Sequence, residues 1–188
     1  MSQAPNKVPV ADFQTERLAV LHWADQLYQP AAKAQLLHDL VPILTPTVLA
    51  HLPPFLHASQ TPKAIAGWIA ERAAESDVYR ITMNSGADLI GLLILADVAE
   101  TGAQPIIHMG CLLAQDAWGQ GYASEMLRGL LVSAQSAAPL SLIGGVARDN
   151  PASAHILRKL GFQLQADMTD VDSEVFTIAL TPAKGAPA

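Results

Sequence analysis

The chain is 188 residues long, 51% hydrophobic and only 15% charged, a balance that supports one compact domain and excludes disorder over most of its length. Its 17 acidic and 11 basic residues leave a net charge of −6 without any Lys/Arg run, so a nucleic acid is not an expected ligand. The single cysteine, Cys111, offers no disulfide and no metal-binding pair. With no apolar stretch near ~20 residues and no secretory pattern at the start, a cytoplasmic protein that does not touch the membrane is expected.

Residues 1–12 carry two prolines and few apolar residues and read as a mobile leader. The run 17–21, Arg-Leu-Ala-Val-Leu, is the first expected strand. Asp25 then caps a helix to about His38, because Leu27, Ala31, Ala34 and Leu37 recur at helical spacing. Prolines at 42, 46, 53 and 54 forbid one long helix in the next stretch, while Leu44, Val48, Leu49 and Leu52 allow one or two short ones. Thr61-Pro62 is a sharper signal, an N-cap residue followed by proline at the first helical position. It predicts a helix to about Glu75 with Ile65, Trp68, Ile69 and Ala73 turned inward.

The runs 78–83 and 89–96 read as strands joined by a hairpin at Asn84-Ser85-Gly86-Ala87-Asp88, followed by a loop over 97–105 and a strand over 106–113. After the segment Trp118-Gly119-Gln120-Gly121-Tyr122-Ala123, a helix presents Ala123, Met126, Leu127, Leu130, Leu131 and Ala134 along one stripe. The run 140–146 is another strand. Asn150-Pro151 opens a helix with Ile156, Leu157 and Leu160 inward, and Gly161 ends it as a left-handed cap. Strands over 162–166 and 174–180, a polar loop between them and a frayed tail from 181 complete the chain. The order implies an α/β (α+β) fold of six to seven strands flanked by helices, antiparallel at first and with a crossover after the glycine turn.

A strand that ends in a turn with two glycines and then enters a helix leaves several backbone N–H groups unpaired beside the positive end of the helix dipole. Glycine suits that position because it accepts unusual φ/ψ values and lets a ligand approach the backbone. No Gly-Lys-Ser/Thr ending marks a P-loop, and no acidic residue follows at the distance a dinucleotide site requires.

Trp118-Gly-Gln-Gly-Tyr-Ala123, then Asn150-Pro-Ala-Ser153 and Leu157-Arg-Lys-Leu-Gly-Phe162, resembles the GNAT N-acetyltransferase superfamily. Phe13-Gln-Thr-Glu-Arg-Leu18 together with Trp118 resembles its branch of Rim-type ribosomal-protein N-terminal acetyltransferases. The resemblance implies a single GNAT domain over 13–181 whose mixed, mostly antiparallel sheet splays between strands 106–113 and 140–146. It implies acetyl-coenzyme A as acyl donor, with its pyrophosphate on the amides of Trp118, Gly119, Gln120, Gly121, Tyr122, Ala123 and Ser124. The strand from Met109 through Cys111, Leu112 and Leu113 is expected to bind the pantetheine arm through its main chain. By the same resemblance Asn150 contacts the pantetheine and Ser153 donates to the departing thiolate; as plain sequence, both are also ordinary residues of a helix start. Arg128, Arg158 and Lys159 are candidates to meet the 3′-phosphate.

Acetyl transfer requires an unprotonated amine. A lysine-like amine of pKa ~10.4 costs roughly 4.6 kcal/mol to deprotonate at pH 7, an α-amine near 7.7–8.0 only about 1 kcal/mol. His108, where relatives in this branch often carry a glutamate, is the candidate base, since imidazole accepts a proton near neutrality; otherwise it is a packed or solvent-facing strand residue. Cys111 alternates to the other face of that strand and reads as core rather than nucleophile, so the amine attacks directly in a ternary complex. The histidines 51, 57 and 155 have no metal-ligand spacing, and no metal is expected. The resemblance favours a protein or peptide N-terminus as acceptor. A small-molecule amine (polyamine or antibiotic) and a non-catalytic acyl-coenzyme A sensor are the alternatives, and exposed apolar residues are compatible with a homodimer.

Overall fold

The computed structural model describes residues 7–86 and 88–182. The far ends of the expected leader and tail, and Ala87 of the hairpin turn, lie outside the described residues. Eight strands among these residues form one sheet in the order β1-β2-β3-β4-β5-β6-β8-β7. They are β1 Phe13–Gln14, β2 Leu18–His22, β3 Asp77–Met83, β4 Leu89–Asp97, β5 Ile106–Leu113, β6 Leu140–Ala147, β7 Gln163–Leu164 and β8 Ser173–Leu180. All neighbours are antiparallel except β5 and β6. The mixed sheet follows the expectation, with one strand more because the two-residue β1 pairs with β2.

Two apolar layers sandwich this sheet. On one face lie α5 (Tyr122–Gln135) and α6 (Pro151–Lys159). Met126, Leu130 and Leu157 pack there on Val20, Ile81, Leu95, Leu142 and Phe176. On the other lie α1 (Ala24–Tyr28), α2 (Pro30–Leu40), α3 (Pro46–Leu49) and α4 (Pro62–Glu75), where Leu40, Leu44, Ile65 and Trp68 pack on Val78, Leu92 and Leu112. Trp23 and Trp68 meet edge to face, with ring centroids 6.3 Å apart. The alternation of side chains along each strand assigns neighbouring residues to opposite layers: Leu93 and Leu95 belong to the first cluster, Leu92 and Ile94 to the second.

Thr61 caps α4 by accepting from the Ala64 amide, with Pro62 first in the helix, and Gly161 ends α6 at φ +91°, both as the sequence predicts. Three expectations fail. The helix expected over 25–38 is two helices, since Gln29 is extended and Pro30 starts α2; Trp23, not Asp25, stands at the N-terminus of α1. Arg72 replaces Ala73 on the inner side of α4, because its guanidinium bonds the Phe55 carbonyl at 2.8 Å and Glu75 at 2.8 Å. Residues 7–12 are docked rather than a mobile leader: Val8 and Val10 are buried. The Val8 amide donates to Asp77 and the Tyr79 hydroxyl to the Val10 carbonyl, and burial beside Asp77 raises the Tyr79 pKa.

Candidate active site

Because β5 and β6 run parallel, their carboxyl ends lie at the same edge of the sheet, where crevices in such sheets take ligands. From β5 the chain passes through a short 3₁₀ turn, Gln115–Ala117, and the glycine turn into α5; from β6 it passes through Arg148–Asn150 into α6. Two helix N-termini therefore open side by side. The β5–β6 pairing begins at Ile106↔Ser141 and stops at Met109↔Gly144, although β5 continues to Leu113. This is the expected splay.

Hydrogen bonds fix which backbone groups border that gap. The Ala114 amide donates to Ile90 and the Val98 amide to Ile106, whereas the Ser141 amide donates to Pro105. Even-numbered residues of β5 thus turn their main chain toward β4 and odd-numbered residues toward β6. Of the four strand residues expected to bind the arm, Met109 is already engaged in the β5–β6 ladder and Leu112 faces β4. Cys111 and Leu113 remain on the open edge, and the Leu113 carbonyl accepts from the Trp118 indole at 2.8 Å. The Cys111 thiol is desolvated and its pKa is pushed up to about 12, which keeps it protonated and supports a packing role for the side chain.

Gly119 and Gly121 adopt φ +72° and +82°, and Gly121 stands as the left-handed N-cap of α5 with no side-chain cap bond. The first amide of the segment, Trp118, is consumed by the Gln115 carbonyl at 3.1 Å, and helical bonding resumes with the Glu125 amide on Gly121. Between them, no acceptor among the described residues takes the amides of Gly119, Gln120, Gly121, Tyr122, Ala123 or Ser124. Six consecutive N–H groups at a helix start fit an anion such as a diphosphate. The expected set is thereby corrected at Trp118, whose amide is used locally.

Beneath the turn lies an arrangement that sequence reasoning did not find. Glu125 accepts from the Thr15 hydroxyl at 2.6 Å, the Arg17 amide at 2.8 Å and Arg17 Nε at 2.7 Å. Arg17 also bonds the Gln120 carbonyl at 3.1 Å and lies 4.4 Å above the Tyr122 ring. Burial works to raise the Glu125 pKa, but the bonds from Thr15 and Arg17 outweigh it and the pKa falls. Thr15 and Arg17 stood inside the quoted motif; nothing in the sequence pointed to Glu125 as their partner 108 to 110 positions on.

Asn150 caps α6, its Oδ1 accepting the Ser153 amide at 3.2 Å, while its NH2 group has no hydrogen-bond partner among the described residues. Ser153 is half-buried in the first turn. His108 is exposed on the opposite layer to Cys111, and partial desolvation lowers its pKa below the ordinary imidazole value. Two residues on, the Leu56 side chain lies 3.9 Å from where a Cβ on Gly110 would sit, so the turn Pro54–Leu56 covers this side of β5. That turn is held by the Trp68 indole on the Leu56 carbonyl at 2.9 Å and by Arg72 on Phe55. His51 reaches Asp149 at 3.1 Å, joining the α3 side to the turn before α6. Arg158 bonds Glu174 at 3.0 Å and lies over the Phe176 ring. Among the described residues no three His, Cys, Asp or Glu side chains cluster as metal ligands, and no helix is long and apolar enough to cross a membrane.

Residues 29–163 match the family model for the acetyltransferase (GNAT) domain, well over half the chain, and the protein therefore belongs to the GNAT acetyltransferase family. An acetyltransferase (GNAT family) from Bacillus anthracis superposes with a TM-score of 0.70 at 13% identity, covering 89% of this chain and 98% of that one. RimL, a ribosomal L7/L12 α-N-protein acetyltransferase solved with coenzyme A, gives 0.61 at 20% identity, with 90% and 97% covered. The spermidine/spermine N-acetyltransferase SpeG from Vibrio cholerae gives 0.58 at 13% identity, with 86% and 93% covered. At these identities the likeness is one of fold. No curated protein sequence matches the chain.

Proposed function

We propose that this protein transfers an acetyl group from acetyl-coenzyme A to a primary amine by direct attack, with the N-terminal amine of a protein or peptide as the favoured acceptor. The observation that carries the reading is the run of six free amides from Gly119 to Ser124 beside the unpaired edge at Cys111 and Leu113. The amides suit the diphosphate and the edge suits an amide-containing arm, with the Asn150 NH2 group available at the neighbouring helix start. Bound acetyl-coenzyme A supplies an activated thioester. The protein's own part is to orient it, to accept a proton from the amine at His108 and to offer the Ser153 hydroxyl to the sulfur.

The lowered pKa of His108 keeps its imidazole neutral at pH 7, ready as a base. An α-amine then needs only about 1 kcal/mol of help, within reach of one imidazole. The competing acceptor is a polyamine, on the likeness to SpeG and the chain's acidic balance. A thiol-release assay decides: turnover is expected with a free N-terminal peptide and not with the same peptide N-acetylated. Faster turnover with spermidine transfers the assignment to polyamines. Calorimetric binding of acetyl-coenzyme A without turnover on any amine makes the protein a sensor, and no binding rejects the reading altogether. His108→Ala is expected to lower kcat/KM about 100-fold and to leave in the pH profile only the acid limb set by the acceptor amine, without the further fall expected of wild type below the ordinary imidazole value; an unchanged pH profile excludes His108 as base.

A further inference from the structure

The glycine turn does not stand alone: a guanidinium from the other end of the chain lies directly under it. Arg17 bonds Gln120, faces the Tyr122 ring and engages both Nε and Nη2 with one oxygen of Glu125. The other oxygen holds the Thr15 hydroxyl and the Arg17 amide. Glu125 immediately follows the last free amide of the cradle, and its side chain is only 16% exposed. A poorly hydrated carboxylate one residue from an anion cradle repels the anion unless something neutralises it.

We infer that Arg17 is a positioning residue for the diphosphate of the acyl donor, acting through Glu125 and Gln120 rather than by touching the donor. The inference rests on the proposed function of this site. It gives Arg17 two tasks. By drawing the Gln120 carbonyl toward itself it holds the turn in the conformation in which the amides from Gly119 to Ser124 are unpaired. By matching the Glu125 charge it lets that carboxylate tie the β1–β2 corner to α5 without opposing a bound anion. The arrangement is specific to a forked cation: Nε and Nη2 serve the carboxylate while Nη1 serves the carbonyl, a division a lysine cannot reproduce.

The two substitutions are expected to act in opposite directions in a double-mutant cycle, read as the calorimetric Kd of coenzyme A. Arg17→Met strands the Glu125 charge and is expected to weaken binding about tenfold. Adding Glu125→Gln, which keeps an oxygen to accept from Thr15, is expected to recover at least threefold of that loss. Glu125→Gln alone is expected to bind coenzyme A at least as well as wild type, because Arg17 is then an uncompensated cation beside the cradle. If the contacts served only to brace the fold, the double variant would bind no better than Arg17→Met, and that result overturns the inference. So does an Arg17→Met protein that binds as wild type does. Should Arg17→Met not fold, the single variant Glu125→Gln carries the test, and a loss above threefold overturns the inference. Failure of wild type itself to bind coenzyme A rejects the proposed function instead, so the two failures are distinguishable.

Discussion

The two faces of the sheet are built by different rules. On the α5–α6 face, two helices start at the carboxyl ends of two parallel strands, and what the strand-to-helix turns present is mainly backbone: unpaired amides, a left-handed glycine, an open strand edge. On the α1–α4 face, α2, α3 and α4 each open on a proline, and side chains tie them to the intervening loop, such as Trp68 on Leu56 and Arg72 on Phe55. A phosphate-bearing donor asks for the same backbone geometry whatever the acceptor is. On the proposed function the acceptor meets the α1–α4 side, which is shaped by individual side chains.

The contrast breaks most visibly in stability. Trp68→Ala removes a buried indole and the bond that holds the Pro54–Leu56 turn, and is expected to cost about 3–5 kcal/mol in denaturant unfolding. The milder Trp68→Phe, which keeps most of the ring volume, is expected to cost about 1 kcal/mol and to raise KM for the acceptor more than for the donor. Equal rises in both constants would show that the faces are not separable. On the other face, Gly121→Val forces a β-branched residue into φ +82°, at about 1–2 kcal/mol of strain; the expected readout is roughly tenfold weaker coenzyme A binding with the acceptor-side KM unchanged.

A smaller effect sharpens the picture through capping. Thr61→Ala deletes the bond to the Ala64 amide and is expected to lower stability by about 1 kcal/mol without altering donor binding, as thermal melts and calorimetry would show. Smallest is the acid response of Glu125. Its folded pKa lies below its ordinary value, so its contribution is present above the ordinary carboxylate range near 4.5 and is lost as pH falls through the lower folded value. Stability of Glu125→Gln should therefore decline less between pH 5 and pH 3 than that of wild type.

How much of this was readable from the chain follows the same division. The glycine turn, the α4 start at Thr61-Pro62, the hairpin between β3 and β4 and the end of α6 at Gly161 each depend on residues within a few positions of one another, and each was legible. Pro30 escaped notice as a helix start because Leu27 through Leu37 kept a helical period across it. Arg72 reads as a surface residue until the Phe55 carbonyl is brought to it by a fold 17 residues long. The hydrogen-bond partners of Val8 and Val10 are Asp77 and Tyr79, near the middle of the chain. Within the site, the parity that turns Leu112 away from the gap and Cys111 toward it depends on the register with β4, and the Glu125 contacts depend on where the β1–β2 corner lands.

The bond from the Trp118 indole to Leu113 leaves the unpaired edge of β5 lopsided. Among the described residues it retains two donors, the N–H groups of Cys111 and Leu113, but one carbonyl not already bonded, that of Cys111. On the proposed function, a donor arm laid along such a short and unequal comb has few ways to satisfy all three teeth, so the edge would act as a ruler, setting how far from the glycine turn its reactive tip comes to rest.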